Sequence, residues 1–341
     1  MIRINMFSSA ESVPGQGVGS AYRELINLLK SHFAKTMDIR INKLSRSDIS
    51  HYHTIDFWFY LSTFLPGRGR KIGYVHFLPE TLDGSILLHW PVKNIFYWYV
   101  MAFYKRMDHL VVVNPTFIDK LVALGVKREN VTYIPNFVTK EQFYPLPVVQ
   151  QASLREKYGF DQKAYIILGV GQIQERKGVF DFIELAKANP QWSFVWVGGF
   201  SFGSITAGYE ELKKVVENPP TNLSFPGIVD RKIINEYYNL ADVFLLPSFA
   251  ELFPMSALEA FSAGTPTILR DLELYQAIIT GYYLPAADLP AMQSALTRIA
   301  KDSTLKTELS KEALAASKRY SADNVAKIWD EFYHKQVQKE G

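Results

Sequence analysis

The chain of 341 residues contains no cysteine, which excludes disulfides, thiolate metal sites and a cysteine nucleophile and is compatible with a cytoplasmic location. It also lacks any run of eighteen or more apolar residues, the length a membrane-spanning helix needs. The densest apolar stretch, Ile95–Tyr104, covers ten positions between Lys93 and Lys105. Nor does Met1-Ile2-Arg3-Ile4-Asn5-Met6-Phe7 show the charged lead and long apolar core of a signal peptide; it alternates like a strand. No internal repeat or low-complexity tract interrupts the sequence. His51 and His53 stand two apart, but no carboxylate cluster completes a coordination set, so they read as strand-edge histidines and no metal site is expected.

What is present is apolar enough for more than one core. At 48% hydrophobic residues and 341 positions, two domains are the default. The net charge of +3 hides an asymmetry: residues 1–150 hold 17 Lys and Arg against 11 Asp and Glu, whereas the remainder is slightly acidic. A basic half points to an anionic partner, with a membrane surface and nucleic acid as the candidates.

Strand and helix patterns alternate almost throughout, which predicts an α/β protein of two doubly wound domains. Strands are expected at Ile2–Phe7, Lys71–Val75, Leu110–Val113 and Val131–Ile134 in the first half, with helices near Gly19–Phe33, Val92–Met107 and Pro115–Leu124. Gln142–Gln151 carries the prolines and polar edge of a linker. Beyond it come strands at Tyr165–Val170, Ser193–Val197, Leu223–Phe225, Val243–Leu246 and Pro266–Leu269, then mostly helix after Asp288. The expected divisions are residues 1–145, 146–320 and a terminal helix in 321–341.

The most informative segment runs from Pro247 to Pro266. A buried strand at Val243–Leu246 leads into a loop holding Glu251, and from Met255 the spacing turns helical and carries Glu259. Two carboxylates fixed around a strand-to-helix turn accept hydrogen bonds from polyol hydroxyls, while free first-turn amides face a phosphate. That combination suits a sugar nucleotide.

With its flanks, Ala-Asp-Val-Phe-Leu-Leu-Pro-Ser before and Leu-Glu-Ala-Phe-Ser-Ala-Gly-Thr-Pro after, this segment resembles family 4 of the retaining glycosyltransferases. The resemblance implies a GT-B fold, two Rossmann-like domains facing across a cleft, with the last helix crossing back to the first domain. It assigns Glu251 to the hexose of the sugar-nucleotide donor and Glu259 to the ribose, with Leu252, Phe253, Met255 and Ser256 lining the same donor. Relatives often carry glycine where this chain has Pro254, which removes one backbone N–H.

Three further motifs stand in the family's order. Pro14-Gly15-Gln16-Gly17-Val18-Gly19 follows the first strand; it departs from the dinucleotide fingerprint, so a nicotinamide cofactor fits poorly, and the resemblance places Gly17 and Gly19 against the donor diphosphate. Gly171-Gln172-Ile173-Gln174-Glu175-Arg176-Lys177-Gly178 matches the phosphate-binding segment, with Lys177 stabilising the departing diphosphate as a metal otherwise would. Gln172 stands where many members have arginine, which leaves Gln172 or Arg176 as the second phosphate contact. His76, ending a strand of the first domain, is placed by the resemblance beside the donor sugar and acceptor.

Aromatic and basic residues interleave from His89 to Arg106. Trp90, Lys93, Lys105 and Arg106 suit a membrane interface, and an aromatic-rich core helix accounts for the same pattern equally well. No RNA-binding motif accompanies them, so no nucleic-acid partner is expected, and no protein partner is legible.

Across the whole chain the likeness is strongest to bacterial members that build diglycosyl diacylglycerol anchors. It implies transfer of an α-hexosyl group, glucose or galactose, from a UDP-sugar to monoglycosyl diacylglycerol, with configuration retained by front-face attack, no enzyme nucleophile and no metal or other cofactor. The implied place is peripheral, at the cytoplasmic face of an anionic membrane. Alternatives are transfer to diacylglycerol or to a polyprenyl-linked glycan and, from another class, a non-catalytic nucleotide-sugar sensor docked at membranes.

Overall fold

Apolar runs become parallel strands, and the amphipathic stretches between them return over the sheets as helices. The computed structural model describes residues 1–10, 17–78, 92–200 and 208–339. Among these, the residues up to Phe137 together with those from Ala322 onward form one compact unit, and Val138–Ser321 form another.

The first unit is built on strands β1 (Ile2–Phe7), β2 (Met37–Ile41), β3 (Ile49–Tyr52), β4 (Arg70–Val75), β5 (His109–Val112) and β6 (Val131–Tyr133), in the order β2-β1-β3-β4-β5-β6. Every neighbouring pair is parallel. Helices α1 (Gly17–Phe33), α2 (Phe57–Ser62), α3 (Val92–Arg106) and α4 (Thr116–Ala123) belong to the same unit. On α1 the buried positions include Tyr22, Leu25 and Leu29, the three-and-four spacing of a helix that lays one stripe on a core.

One expectation is corrected here. His51 is not at a sheet edge, because β3 lies inside the sheet between β1 and β4, and His53 follows the end of β3; both rings are buried. A strand covered on both faces accepts polar residues only where neighbours enclose them, and aromatic rings do so here: His51 lies 4.1 Å from His53 and 5.7 Å from Tyr74, centroid to centroid.

The second unit has β7 (Ile166–Val170), β8 (Ser193–Val197), β9 (Leu223–Gly227), β10 (Val243–Leu246), β11 (Thr267–Arg270) and β12 (Leu284–Ala286), again all parallel, in the order β12-β11-β10-β7-β8-β9. Its helices are α5 (Val148–Lys157), α6 (Val179–Ala188), α7 (Tyr209–Glu217), α8 (Ile234–Leu240), α9 (Met255–Ala263), α10 (Glu273–Gln276), α11 (Leu289–Lys301) and α12 (Ser303–Arg319). Phe182 of α6 sits edge-on between Trp196 and Phe194, at 5.0 and 5.3 Å, in the core beneath β7 and β8. The expected linker at Gln142–Gln151 is cut short by α5, which begins at Val148 directly after Pro147. Proline favours the residue before a helix as readily as a linker.

Helix α13 (Ala322–Gln338) returns to the first unit. Trp329, Phe332 and Tyr333 are buried there; the Tyr333 hydroxyl shares a 2.9 Å hydrogen bond with His51 Nδ1, and Trp329 packs 5.8 Å from the ring of Tyr74.

Candidate active site

The strand order of the second unit reverses between β7 and β10, and open α/β sheets bind ligands outside the carboxyl ends of strands at such a point. The loop after β7 holds Gly171–Gly178 and the loop after β10 holds Pro247–Pro254, so two motifs that lie some seventy residues apart in sequence become neighbours. They are joined reciprocally. The Phe249 N–H donates to the Arg176 carbonyl at 2.9 Å, and the Arg176 guanidinium donates back to the Ala250 carbonyl.

Gly178 makes this approach possible. Its φ of 71° is left-handed, and a Cβ there would lie 2.2 Å from the Pro247 carbonyl oxygen. The close approach lets Lys177 Nζ form an ion pair with Glu251 Oε1. Both side chains are nearly buried, at 13% and 8% exposure. Burial alone would raise the Glu251 carboxyl, but the Lys177 ammonium and the Arg176 guanidinium outweigh it and hold the group below the ordinary carboxylate range. Burial lowers Lys177 despite its partner. Beside them the buried Tyr275 hydroxyl, pushed well up by burial and by the Glu251 charge, stays protonated as a hydrogen-bond donor.

Glu259 lies on α9, buried and held from two sides. Arg231 Nη1 donates to Oε1 at 2.9 Å and the Tyr238 hydroxyl donates to Oε2 at 2.7 Å. Arg231 comes from the loop after β9 and its guanidinium lies 5.1 Å from the Phe143 ring centroid; Tyr238 comes from α8. Neither was legible as a site residue, since nothing local in the sequence links positions 231 and 238 to 259. Arg270 was illegible for the same reason, its partner Asp181 lying 89 positions away.

The remaining expected donor contacts differ in character. Phe253 and Met255 are buried, Phe253 against Tyr320 at 5.2 Å, while Leu252 and Ser256 are half-buried. No side chain caps α9, whose N-cap is Pro254. Gln172 accepts a 2.7 Å hydrogen bond from the buried Gln174, which leaves the Gln172 amide nitrogen as its donating end. Arg176 Nε and Gln174 Oε1 are buried without a hydrogen-bond partner, polar capacity that suits a polar ligand.

The first unit holds the other expected residues. His76 follows β4, buried, with its ring 4.4 Å from Tyr74 and 5.9 Å from His53. Burial lowers its pKa to about 3, so the imidazole is neutral at pH 7 and offers one donor and one acceptor. Gly17 opens α1, and a Cβ on Gly19 would lie 2.8 Å from the Ala10 carbonyl oxygen, so glycine lets the helix start close on the chain leaving β1. Pro14, Gly15, Gln16 and Trp90 lie outside the described residues.

Helix α3 is divided between interior and surface. Val100, Phe103 and Tyr104 enter the core, whereas Ile95 and Trp98 are 64% and 70% exposed and Lys105 and Arg106 are exposed beyond them. Lys93 lies 5.4 Å over the Tyr97 ring. Against α3 packs α2, unforeseen in the sequence: Tyr60 meets Tyr99 and Phe103 at 5.6 and 5.8 Å, and Arg106 covers Phe64 at 4.4 Å. Around this seam Phe57, Trp58 (75% exposed), Phe64 and Leu65 face outward with Ile95 and Trp98.

Comparison with known proteins agrees with these motifs. Residues 14–142 match the family described as Glycosyltransferase Family 4 and residues 150–315 the one described as Glycosyl transferases group 1. Over 337 residues, 98% of this chain and 90% of the relative, the sequence is 50% identical to the alpha-galactosylglucosyldiacylglycerol synthase of Streptococcus pneumoniae (strain ATCC BAA-255 / R6). The chain belongs to glycosyltransferase family 4. The glycosyltransferase is also 28% identical over 192 residues, 54% of its length and 57% of the relative's, to the processive diacylglycerol alpha-glucosyltransferase of Acholeplasma laidlawii. In fold it resembles the sucrose-phosphate synthase of Thermosynechococcus elongatus, with a TM-score of 0.81 at 17% identity over 99% of this chain and 100% of that one. Anabaena Alr3699/HepE, solved in complex with UDP-glucose, gives a TM-score of 0.79 at 14% identity over 98% of this chain and 100% of that one. The two parallel-sheet units of the glycosyltransferase are the Rossmann-like domains of the GT-B fold.

Proposed function

We propose that the glycosyltransferase moves an α-hexosyl group from a UDP-sugar to a monoglycosyl diacylglycerol, making a diglycosyl diacylglycerol. The observation that carries this reading is the 50% identity, over 98% of this chain and 90% of the relative, to a protein named alpha-galactosylglucosyldiacylglycerol synthase, and the galactosyl group in that name favours galactose as the hexose. The buried Lys177–Glu251 pair at the β7/β10 switch point supplies chemistry to match.

In this reading the second unit takes the sugar nucleotide and the first the acceptor. Glu259, oriented by Arg231 and Tyr238, accepts hydrogen bonds from the ribose hydroxyls. When the diphosphate arrives, Lys177 exchanges Glu251 for phosphate oxygens, with Arg176 or Gln172 as the second contact, and Glu251 is released to accept from the hexose hydroxyls. In the first unit Gly17 and Gly19, at the start of α1, are the candidates for a phosphate contact, and neutral His76 offers one donor and one acceptor to sugar hydroxyls. The acceptor hydroxyl attacks C1 on the face the diphosphate leaves; the C1–O bond to phosphate breaks, the new C1–O bond forms, and the hydroxyl proton passes to the departing phosphate oxygen. Cationic side chains stabilise that leaving group where a metal would otherwise do so.

Among the described residues no helix is long and apolar enough to cross a membrane. The outward aromatics of α2 and α3, with Lys93, Lys105 and Arg106 beside them, combine an apolar face and basic rim suited to an anionic lipid surface, which would place the protein peripherally at the cytoplasmic face. The test is incubation with radiolabelled UDP-galactose and UDP-glucose against diacylglycerol, monoglucosyl diacylglycerol and a polyprenyl-linked glycan, with linkage read by NMR. Label appearing in a diglycosyl lipid with α linkage is expected; label confined to another acceptor, or none with any, refutes the assignment.

A further inference from the structure

Arg270 ends β11, outside every motif that the sequence offers, and is 7% exposed. All three of its nitrogens are engaged, each with a different element. Nε donates to the Pro247 carbonyl at 2.9 Å, Nη1 donates to the Ala287 carbonyl at 3.0 Å, and Nη2 forms an ion pair with Asp181 in the first turn of α6. The Phe249 ring lies over the guanidinium, 3.9 Å from Cζ to the ring centroid. One side chain thus ties the chain leaving β10, β11 and β12 to the helix that follows Lys177.

We propose that Arg270 is a positioning residue for the loop that carries Glu251. The phosphate-binding loop grips Pro247–Pro254 through Phe249 and Ala250; Arg270 grips it through Pro247 and Phe249 from the side of β11. Between these two holds stands Glu251. A planar guanidinium gives three directed hydrogen bonds and a stacking face at once, which neither a lysine nor a neutral side chain reproduces. Loss of this grip frees the loop and lets Glu251 drift, and a misplacement near 1 Å costs on the order of a hundredfold in rate. The role rests on the reading of Glu251 as a hexose ligand, but the order of the loop does not.

Two measurements separate those levels. Hydrogen exchange over Pro247–Pro254, made without substrate, reads loop order whether or not hexosyl transfer is the activity. Arg270→Met and Arg270→Lys are each expected to raise exchange there while exchange in β8 and β9 is unchanged. Steady-state kinetics then read function: turnover of Arg270→Met falls by about a hundredfold, UDP affinity by calorimetry stays within about twofold because Glu259 has its own supports, and Arg270→Lys recovers only part of the loss. In a Glu251→Gln background the Arg270→Met penalty shrinks to about threefold or less, since the residue works through Glu251. Unchanged exchange in the folded variants, or equal penalties in both backgrounds, overturns the proposal; raised exchange with no transfer by the parent protein would instead remove the hexosyltransferase reading and leave the loop anchor standing.

Discussion

Glu251→Gln should destabilise the second unit as well as slow it. The parent pair is nearly buried, Lys177 at 13% and Glu251 at 8% exposure, with the Arg176 guanidinium close enough to act on both. Removing the anion leaves two cations side by side in a poorly solvated place, and breaking a buried ion pair by removing one partner costs about 3–5 kcal/mol. At about 2–4 °C per kcal/mol for a unit of this size, the midpoint of thermal unfolding should fall by roughly 6–20 °C. Lysine can limit the damage by shedding its proton. Its folded pKa already lies below the ordinary 10.5 and drops further without Glu251. The unfolded chain then binds the extra proton, so the deficit is fully present below the folded pKa and shrinks as pH rises toward 10.5. Calorimetry of parent, Glu251→Gln and Lys177→Met/Glu251→Gln from pH 7 to 9.5 follows this directly, and the double variant, with no unpaired cation at 177, should recover most of the loss. A single variant that melts within about 1 °C of the parent at pH 7, with no trend in pH, would show that the pair is effectively solvated and the exchange proposed for Lys177 unnecessary.

Other expectations follow from the same geometry. Glu259→Ala should weaken UDP binding by about 1.5–3 kcal/mol; unaltered calorimetric affinity would assign the ribose elsewhere. In the first unit burial lowers His51 and His76 to about 3 and His53 well below its ordinary 6.5. The folded state therefore keeps them neutral while the unfolded chain protonates, so stability should fall as pH drops below 6.5, by about 1.4 kcal/mol per pH unit for each histidine until the folded pKa is reached. Unfolding midpoints that stay level between pH 7 and 5 would contradict this. Replacing Lys93, Lys105 and Arg106 together with Gln should release the protein from anionic vesicles at moderate salt and leave UDP affinity intact, each basic residue near such a surface contributing about 1 kcal/mol; equal cosedimentation of parent and variant would locate the lipid contact elsewhere.

The parts of the structure that the sequence revealed are those whose cause is local. Val243–Leu246 is a continuous apolar run buried at every position, and Met255–Ala263 follows it with helical spacing, so strand, loop and helix were legible together with the place of Glu251 and Glu259. The meeting of Lys177 with Glu251 was legible only as two motifs in family order. What remained hidden depends on distance or on polarity. Ser50 and His51 are fully buried in β3, and residues that read as polar do not announce an interior strand. Helix α2 is six residues long and turns Phe57 and Trp58 outward, against the usual sense of apolar patterning. Arg231 and Arg270 find Glu259 and Asp181 across 28 and 89 positions, and no spacing rule reaches that far.

The return of α13 to the first unit sets an order of events during synthesis. The half of the chain that leaves the ribosome first cannot finish its interior, because Trp329, Phe332 and Tyr333, which pack against Tyr74, His51 and His109, are translated after the whole of Val138–Ser321. At about 5–20 residues per second that delay is on the order of ten seconds or more. Among the described residues the second unit is the single stretch Val138–Ser321, so it leaves the ribosome whole while its predecessor still waits with a hydrophobic face uncovered. Nascent chains stalled before residue 322 should accordingly be clients of holding chaperones through their N-terminal part, and the last seventeen residues of helix act as the closing piece of the domain that was begun first.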